Sequence, residues 1–312
     1  MNTREQLLAL NEELRRLKAE GRRTVSVSEE SLGVLRAALQ DEPEEPGQGS
    51  GEAAFASAEP AAIFRPAAPS APAPVAAAPK PAAPMAAATF TLPEGDKATR
   101  WQALREIVLH DKVCAAHVHP GKQIVFGVGS LEASIMFVGE APGGDEEIQG
   151  EPFVGRAGQL LNRMIKAMGL ERGQVYIGNI LNWRPEMGAR NADGSQTGNR
   201  PPTAEEMAYC LPFIRAQIAI IQPKVLVALG KTAVDGLLGF DRFKSMGAAR
   251  GSWHEYAGTP LRATYHPSYL LRQEGLVSAA AKKIKRDAWE DLLAVMERAG
   301  VPISEKQRNY FL

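Results

Sequence analysis

Residues 51–90 constrain this chain more than any other stretch, because 18 of the 40 are Ala and 8 are Pro. Proline removes backbone donors and breaks helices and sheets. Alanine offers too little surface to bury, so the run PAAPSAPAPVAAAPKPAAPMAAA cannot build a core. It reads as an extended, semi-rigid linker. The 312 residues therefore divide into an N-terminal arm (1–42), a linker (43–95) and one domain of ordinary size (96–312). The charge divides at the same place. The whole chain sums to +0, but residues 1–95 carry 9 basic and 13 acidic side chains, which leaves a surplus of four positive charges on the domain. A neutral total argues against a protein that coats nucleic acid by bulk charge, and it leaves room for a local basic groove.

In the arm, Leu7, Leu8, Leu10, Leu14 and Leu17 recur at helical spacing, and a second short helix over 28–40 is expected, capped by Ser26 or Ser28. Such an arm is a docking element for a weak protein partner or a marginal helix that frays. The only cysteines, Cys114 and Cys210, exclude a disulfide framework and point to a reducing compartment. No apolar run reaches the roughly 18 residues that span a bilayer. The charged start MNTREQLLALNEELRRLKAEG lacks the apolar core of a signal peptide. A cytoplasmic monomer without membrane contact is expected.

From residue 96 the pattern alternates. A helix over 97–111 comes first. Four short apolar runs follow, Ser134–Val138, Val175–Ile180, Lys224–Leu229 and Leu261–Tyr265. Helical stretches over 156–169, 203–221 and 231–239 separate them, and a helix over 275–299 closes the pattern. Short apolar strands with helices between them imply an α/β fold with a parallel sheet covered on both faces.

Chemistry follows each run. The first leads into Gly139-Glu140-Ala141-Pro142-Gly143-Gly144-Asp145-Glu146-Glu147, a turn with four carboxylates. The second ends on Asn179, the third on Gly230-Lys231-Thr232, and the fourth on His266-Pro267-Ser268-Tyr269. In an open parallel sheet the ligand crevice lies at the carboxyl ends of the strands, so carboxylate, amide and imidazole converge on one rim. A nucleotide-binding loop is excluded. The G-x-x-x-x-G-K-[ST] pattern is missing, and four acids would repel a phosphate.

These residues resemble a known family. The block GEAPGGDEEIQGEPFVGRAGQLLNRMI (139–165), with VYIGNILNWRP (175–185), GNRPPTAEE (198–206), KVLVALGKTA (224–233) and TYHPSYLLR (264–272), is similar in order and spacing to the family 4 uracil-DNA glycosylases. The resemblance covers about 100–299. It implies a three-layer α/β/α sandwich around a four-stranded parallel sheet, and hydrolysis of the N-glycosidic bond of a deoxyuridine flipped out of DNA. It also implies residue roles. Glu140, Ala141 and Pro142 form a wall of the uracil pocket, with Glu140 and the nearby acids Asp145, Glu146 and Glu147 as candidates to orient the water. Phe153 stacks on the base, Asn179 reads its edge, and His266 donates to the oxygen that gains charge. Leu270 or Leu271, with Arg272, enters the duplex. An alternative is a DNA-binding protein of the same fold with weak or no catalysis.

The departures carry information too. The family usually holds a [4Fe–4S] cluster on four cysteines. The matching positions here are Cys114, His117, Trp183 and Cys210. Indole cannot ligate iron, and three mixed ligands make a poor cluster site, so no metal or cofactor is expected. Zinc on Cys114, His117, Cys210 and one further group is the alternative. The polar segment EMGARNADGSQT (186–197) resembles an insertion. It lacks the histidine of relatives that trap uracil-DNA covalently, so turnover is expected. The end of the sequence, Gln307 to Leu312, reads as a clamp-docking tail or as a tail packed on its own domain.

Overall fold

The computed structural model describes residues 86–187, 198–274 and 278–311. The two arm helices expected within 1–42, and nearly all of the segment 186–197, lie outside the described residues. In chain order the elements are α1 (Lys97–Leu109), α2 (Lys112–His117), β1 (Val128–Gly129), β2 (Ile135–Gly139), α3 (Gly144–Gln149), α4 (Arg156–Ala167), a tight helical turn (Arg172–Gln174), β3 (Tyr176–Asn179), α5 (Ala204–Ile221), β4 (Val225–Leu229), α6 (Lys231–Leu238), α7 (Met246–Ala249), β5 (Trp253–Tyr256), β6 (Thr259–Thr264), α8 (Pro267–Arg272), α9 (Ala279–Ala299) and α10 (Glu305–Arg308).

The sheet runs β1-β3-β2-β4-β6-β5. Its four central strands are parallel, as the four apolar runs imply. Two short antiparallel edge strands, β1 and β5, extend the expected four-stranded sheet to six. Neither edge strand carries an apolar run: β1 is two residues long, and the β5 residues WHEY are only part-buried. Alternate side chains of each central strand serve opposite layers. Ile135, Phe137, Val225 and Val227 pack with Leu161 and Ile165 of α4 and with Trp289 and Leu292 of α9. Met136, Val138, Leu226 and Ala228 pack with Leu104 of α1, Phe213 of α5 and Val234 of α6. Burial on both faces is what makes these strands read as continuous apolar runs rather than alternating ones.

The packed region begins before residue 96. Ala88, Phe90 and Leu92 lie against the core, and the Phe90 ring stacks on Phe213 at 5.4 Å between centroids. The Ala/Pro composition of the preceding stretch hides these few anchoring residues. At the other end, Gln307 donates to the Ala167 carbonyl at 2.8 Å, the Trp289 indole donates to Gln307 O at 2.6 Å, and Tyr310 packs on Trp289. The tail therefore lies on its own domain.

Candidate active site

The carboxyl ends of β2, β3, β4 and β6 meet around a cavity of about 490 Å³. Glu140, Ala141 and Pro142 follow β2, Asn179 ends β3, Lys231 and Thr232 follow Gly230 at the end of β4, and His266 stands just beyond β6. Phe153 comes from the loop between α3 and α4. Every residue that the family resemblance places at the uracil thus lies in one cavity, although they span 127 positions of sequence. The floor is tight. A Cβ added at Gly139 would fall 2.4 Å from Asn179 Oδ1 and 2.5 Å from Phe153 Cζ, so only glycine lets amide and ring approach.

Each polar group has a definable state. His266 caps α8, and its Nδ1 lies 3.1 Å from the Ser268 backbone nitrogen and 2.8 Å from the Ser268 hydroxyl. A backbone N–H can only donate, so Nδ1 is the acceptor and the ring proton sits on Nε2. Burial, helped by the Arg272 cation, pushes the His266 pKa down from 6.5 to about 4, which keeps the ring neutral at ordinary pH. Asn179 is 6% exposed, and its Oδ1 has no hydrogen-bond partner. A buried acceptor left alone costs free energy unless a ligand supplies its donor. Glu140 accepts from the Thr232 hydroxyl at 2.5 Å, and burial raises its pKa above the ordinary carboxylate value.

The four carboxylates of the turn separate by environment. Glu146 accepts from the backbone amides of Gly143, Val154 and Gly155. Glu147 pairs with Arg184 at 3.0 Å. Asp145 is exposed in the first turn of α3, outside the cavity lining. Glu146 lines the cavity with both oxygens on those amides, whereas Glu140 lines it with the Thr232 hydroxyl as its partner. Phe153 has φ +55°, a left-handed backbone that costs a residue with a Cβ roughly 1 kcal/mol or more.

The segment after His266 divides by burial. Leu270 is 6% exposed and packs inward, whereas Leu271 is half-buried and Arg272 is exposed over the Tyr269 ring. Several residues without an assigned role at the uracil also line the cavity, among them Glu146, Lys231, Thr232, Asn199 and Arg200. Asn199 accepts from Arg184 Nε at 2.9 Å. Asn199 and Arg200 sit in the block GNRPPTAEE, and Thr232 in the GKT sequence. The signal was present, but only the fold shows that these positions face the cavity.

The positions matching the cluster ligands do come together: Cys114, Trp183 and Cys210 share one buried cluster, and His117 lies against Trp183. Cys114 and Cys210 are fully buried, and the neighbouring Cys210 thiol together with burial drives the Cys114 thiol far above its ordinary range. The His117 ring stacks on Trp183 at 4.5 Å, and His117 Nδ1 donates to the Val113 carbonyl. Trp183, 1% exposed, fills the space where a third ligand would stand. Two thiols, an imidazole and an indole do not fit a [4Fe–4S] cluster. Among the described residues no group of three His, Cys, Asp or Glu side chains is placed to hold a metal ion.

Comparison with known proteins identifies the family. A family model described as the uracil DNA glycosylase superfamily matches residues 126–293. A type-4 uracil-DNA glycosylase of Thermotoga maritima is 38% identical over 195 residues, which is 61% of this chain and 92% of that protein. A type-4 uracil-DNA glycosylase of Pyrobaculum aerophilum is 35% identical over 56% of this chain and 86% of its own length. A type-5 uracil-DNA glycosylase of the same organism is 29% identical over 51% and 73%.

Proposed function

The chain belongs to the uracil-DNA glycosylase superfamily, and from that premise we infer that it is a DNA glycosylase that hydrolyses the bond between uracil and deoxyribose in DNA. One observation carries the assignment of the cavity: the unpartnered Oδ1 of Asn179 faces the same space as the Phe153 ring and the neutral His266. Uracil presents N3–H beside O4. The Asn179 oxygen accepts the first and its NH2 donates to the second. Cytosine reverses that pattern and would leave buried polar groups unpaired, which gives strong discrimination. Phe153 supplies a stacking face, worth roughly 1–3 kcal/mol per base.

The reaction breaks the N1–C1′ bond. The electron pair leaves with uracil, and its O2 gains negative charge. The Nε2–H of His266 donates to that oxygen in the manner of an oxyanion hole. Positive charge develops on the sugar, where the Glu140 carboxylate, held by Thr232, stabilises it and orients the water that adds to C1′. The products are free uracil and an abasic site. Leu271 fills the space left by the flipped nucleotide, while Leu270 anchors the loop from inside. Asp145, exposed outside the cavity, has no part in this scheme. The chemistry needs no metal or redox group, and the donor set at Cys114, His117, Trp183 and Cys210 supports a protein without a cluster. Purified protein should lack the visible absorbance and the iron of a cluster. Among the described residues no helix is long and apolar enough to cross a membrane. A DNA substrate supports work in the cytoplasm, at the nucleoid in a bacterium.

The test is direct. A single-stranded or duplex oligonucleotide with one deoxyuridine should gain an alkali-labile abasic site, and His266→Ala or Asn179→Ala should slow this by about 100-fold or more. An intact oligonucleotide at stoichiometric protein would favour the alternative of a binding protein without catalysis. The lack of a histidine in 186–197 supports turnover, and a persistent protein–DNA adduct on a denaturing gel would refute that part.

A further inference from the structure

We propose that Arg172 and Glu146 are positioning residues that clamp the backbone of Phe153 and thereby fix the ring on which the uracil stacks. The inference rests on the functional reading above and adds two residues to it. Arg172 lies outside the cavity, in the tight turn before β3. Its guanidinium donates from Nη2 to the Pro152 carbonyl at 2.6 Å and from Nη1 to the Phe153 carbonyl at 3.2 Å. Nη1 also donates to Asn162 Oδ1 at 3.0 Å, which ties the cation to α4. Glu146 holds the next two residues. Its Oε1 accepts from the amides of Val154 at 3.1 Å and Gly155 at 3.0 Å. Two carbonyls thus point to a cation and two amides to an anion, and between them sits the left-handed Phe153.

A residue with a Cβ stays in that conformation only when its surroundings over-determine it. Three contacts do so here. The third is Gly158 of α4, where a Cβ would lie 1.9 Å from the Phe153 carbonyl oxygen, so helix and loop are in direct contact. With the clamp opened, Phe153 can relax to negative φ, and its ring then swings off the plane that the Asn179 edge defines. Glu146 does more. Its Oε2 accepts from the Gly143 amide at 3.1 Å, so a single carboxylate joins the Pro142 wall to the Phe153 wall and sets the width between them. Arg172 lies outside the cavity, and Glu146, which lines it, has both oxygens on backbone amides, so neither is assigned contact with the reacting atoms. Their effect passes through the ring and the opposing wall.

A double-mutant cycle with Phe153 separates positioning from a general structural role. Single-turnover excision and the half-saturating protein concentration are measured on a deoxyuridine oligonucleotide, with thermal melts alongside. Arg172→Gln should slow the single-turnover rate about 10-fold while half-saturation moves less than about 2-fold, and Arg172→Lys should recover part of the loss. In the Phe153→Ala background, itself about 10- to 100-fold slow, Arg172→Gln should cost less than about 2-fold, because the ring it positions is gone. Glu146→Gln should slow the wild type similarly, since an amide offers one acceptor where the carboxylate offers two. If Arg172→Gln does not melt cooperatively, Arg172→Lys takes its place in the cycle and must show the same loss of effect. Rate losses that multiply with that of Phe153→Ala, or an unchanged rate in Arg172→Gln, overturn the inference alone. An inactive wild type overturns the functional reading and this inference with it.

Discussion

The neutral state of His266 has a cost that can be measured without any substrate. In the unfolded chain the imidazole titrates near 6.5, and in the folded protein near 4. Between those values the unfolded state binds a proton that the native state does not, so stability must fall as pH drops from about 6.5 and level off below about 4. One pH unit of difference corresponds to about 1.4 kcal/mol, so the full separation is worth about 3 kcal/mol, of which about 2 kcal/mol is expressed at pH 5. His266→Gln keeps a polar side chain of similar length and cannot titrate. Urea unfolding of both proteins at pH 7 and pH 5 should show the wild type losing about 2 kcal/mol more than the variant. The other carboxylates and histidines cancel in that comparison. Parallel losses in the two proteins would refute the buried, neutral imidazole and with it the donor role of Nε2–H. The excision rate gives a second check. A neutral donor predicts no inflection near 6.5 in the single-turnover pH profile, whereas a histidine that must be protonated would lose activity there.

Other outcomes follow from the same geometry. Thr232→Val removes the hydrogen bond that holds the Glu140 pKa down against burial, so the acid limb of the rate profile should move to higher pH, read by single-turnover assays across pH 4–8. Leu270→Ala, at a buried position, should cost about 2–4 kcal/mol of stability in urea unfolding, while Leu271→Ala should leave stability within about 1 kcal/mol and slow excision from duplex more than from single strands. Trp183→Ala should cost about 3–5 kcal/mol, and Trp183→Phe less, because the indole Nε1 is buried without a partner and nothing polar is lost with it. Removing residues 305–312 should uncover Trp289 and lower the melting temperature by several degrees, as expected for about 1–2 kcal/mol in a domain of this size.

The parallel core of the fold was legible because its cause is local. Strands covered on both faces must be apolar throughout, and helices between them repeat on a different period, so four strands and their order of connection stand out in one sequence. Edge strands carry no such mark. Val128–Gly129 and Trp253–Tyr256 become strands only because a neighbour offers its free edge, a fact of tertiary pairing. The identity of the cavity residues was legible for a topological reason: the carboxyl ends of parallel strands share one rim, so Glu140, Asn179 and His266 had to meet.

What each of them does there was decided by contacts far apart in sequence. Four carboxylates stand within eight positions, and nothing in their order separates them. The fold assigns Glu146 to three backbone amides, Glu147 to Arg184, Asp145 to solvent and Glu140 to the cavity with Thr232, 92 residues away. The same holds for Leu270 and Leu271, adjacent and alike, of which one is buried and the other half-buried. Burial and hydrogen-bond partners set the charge state and the reach of a side chain, and both are properties of the packed chain rather than of any segment. The sequence by itself determined the family, the layers and the rim. Packing in three dimensions decides which ring nitrogen of His266 carries the proton, which acid of the cavity meets a hydroxyl rather than backbone amides, and that Phe153 is held where its backbone would not rest.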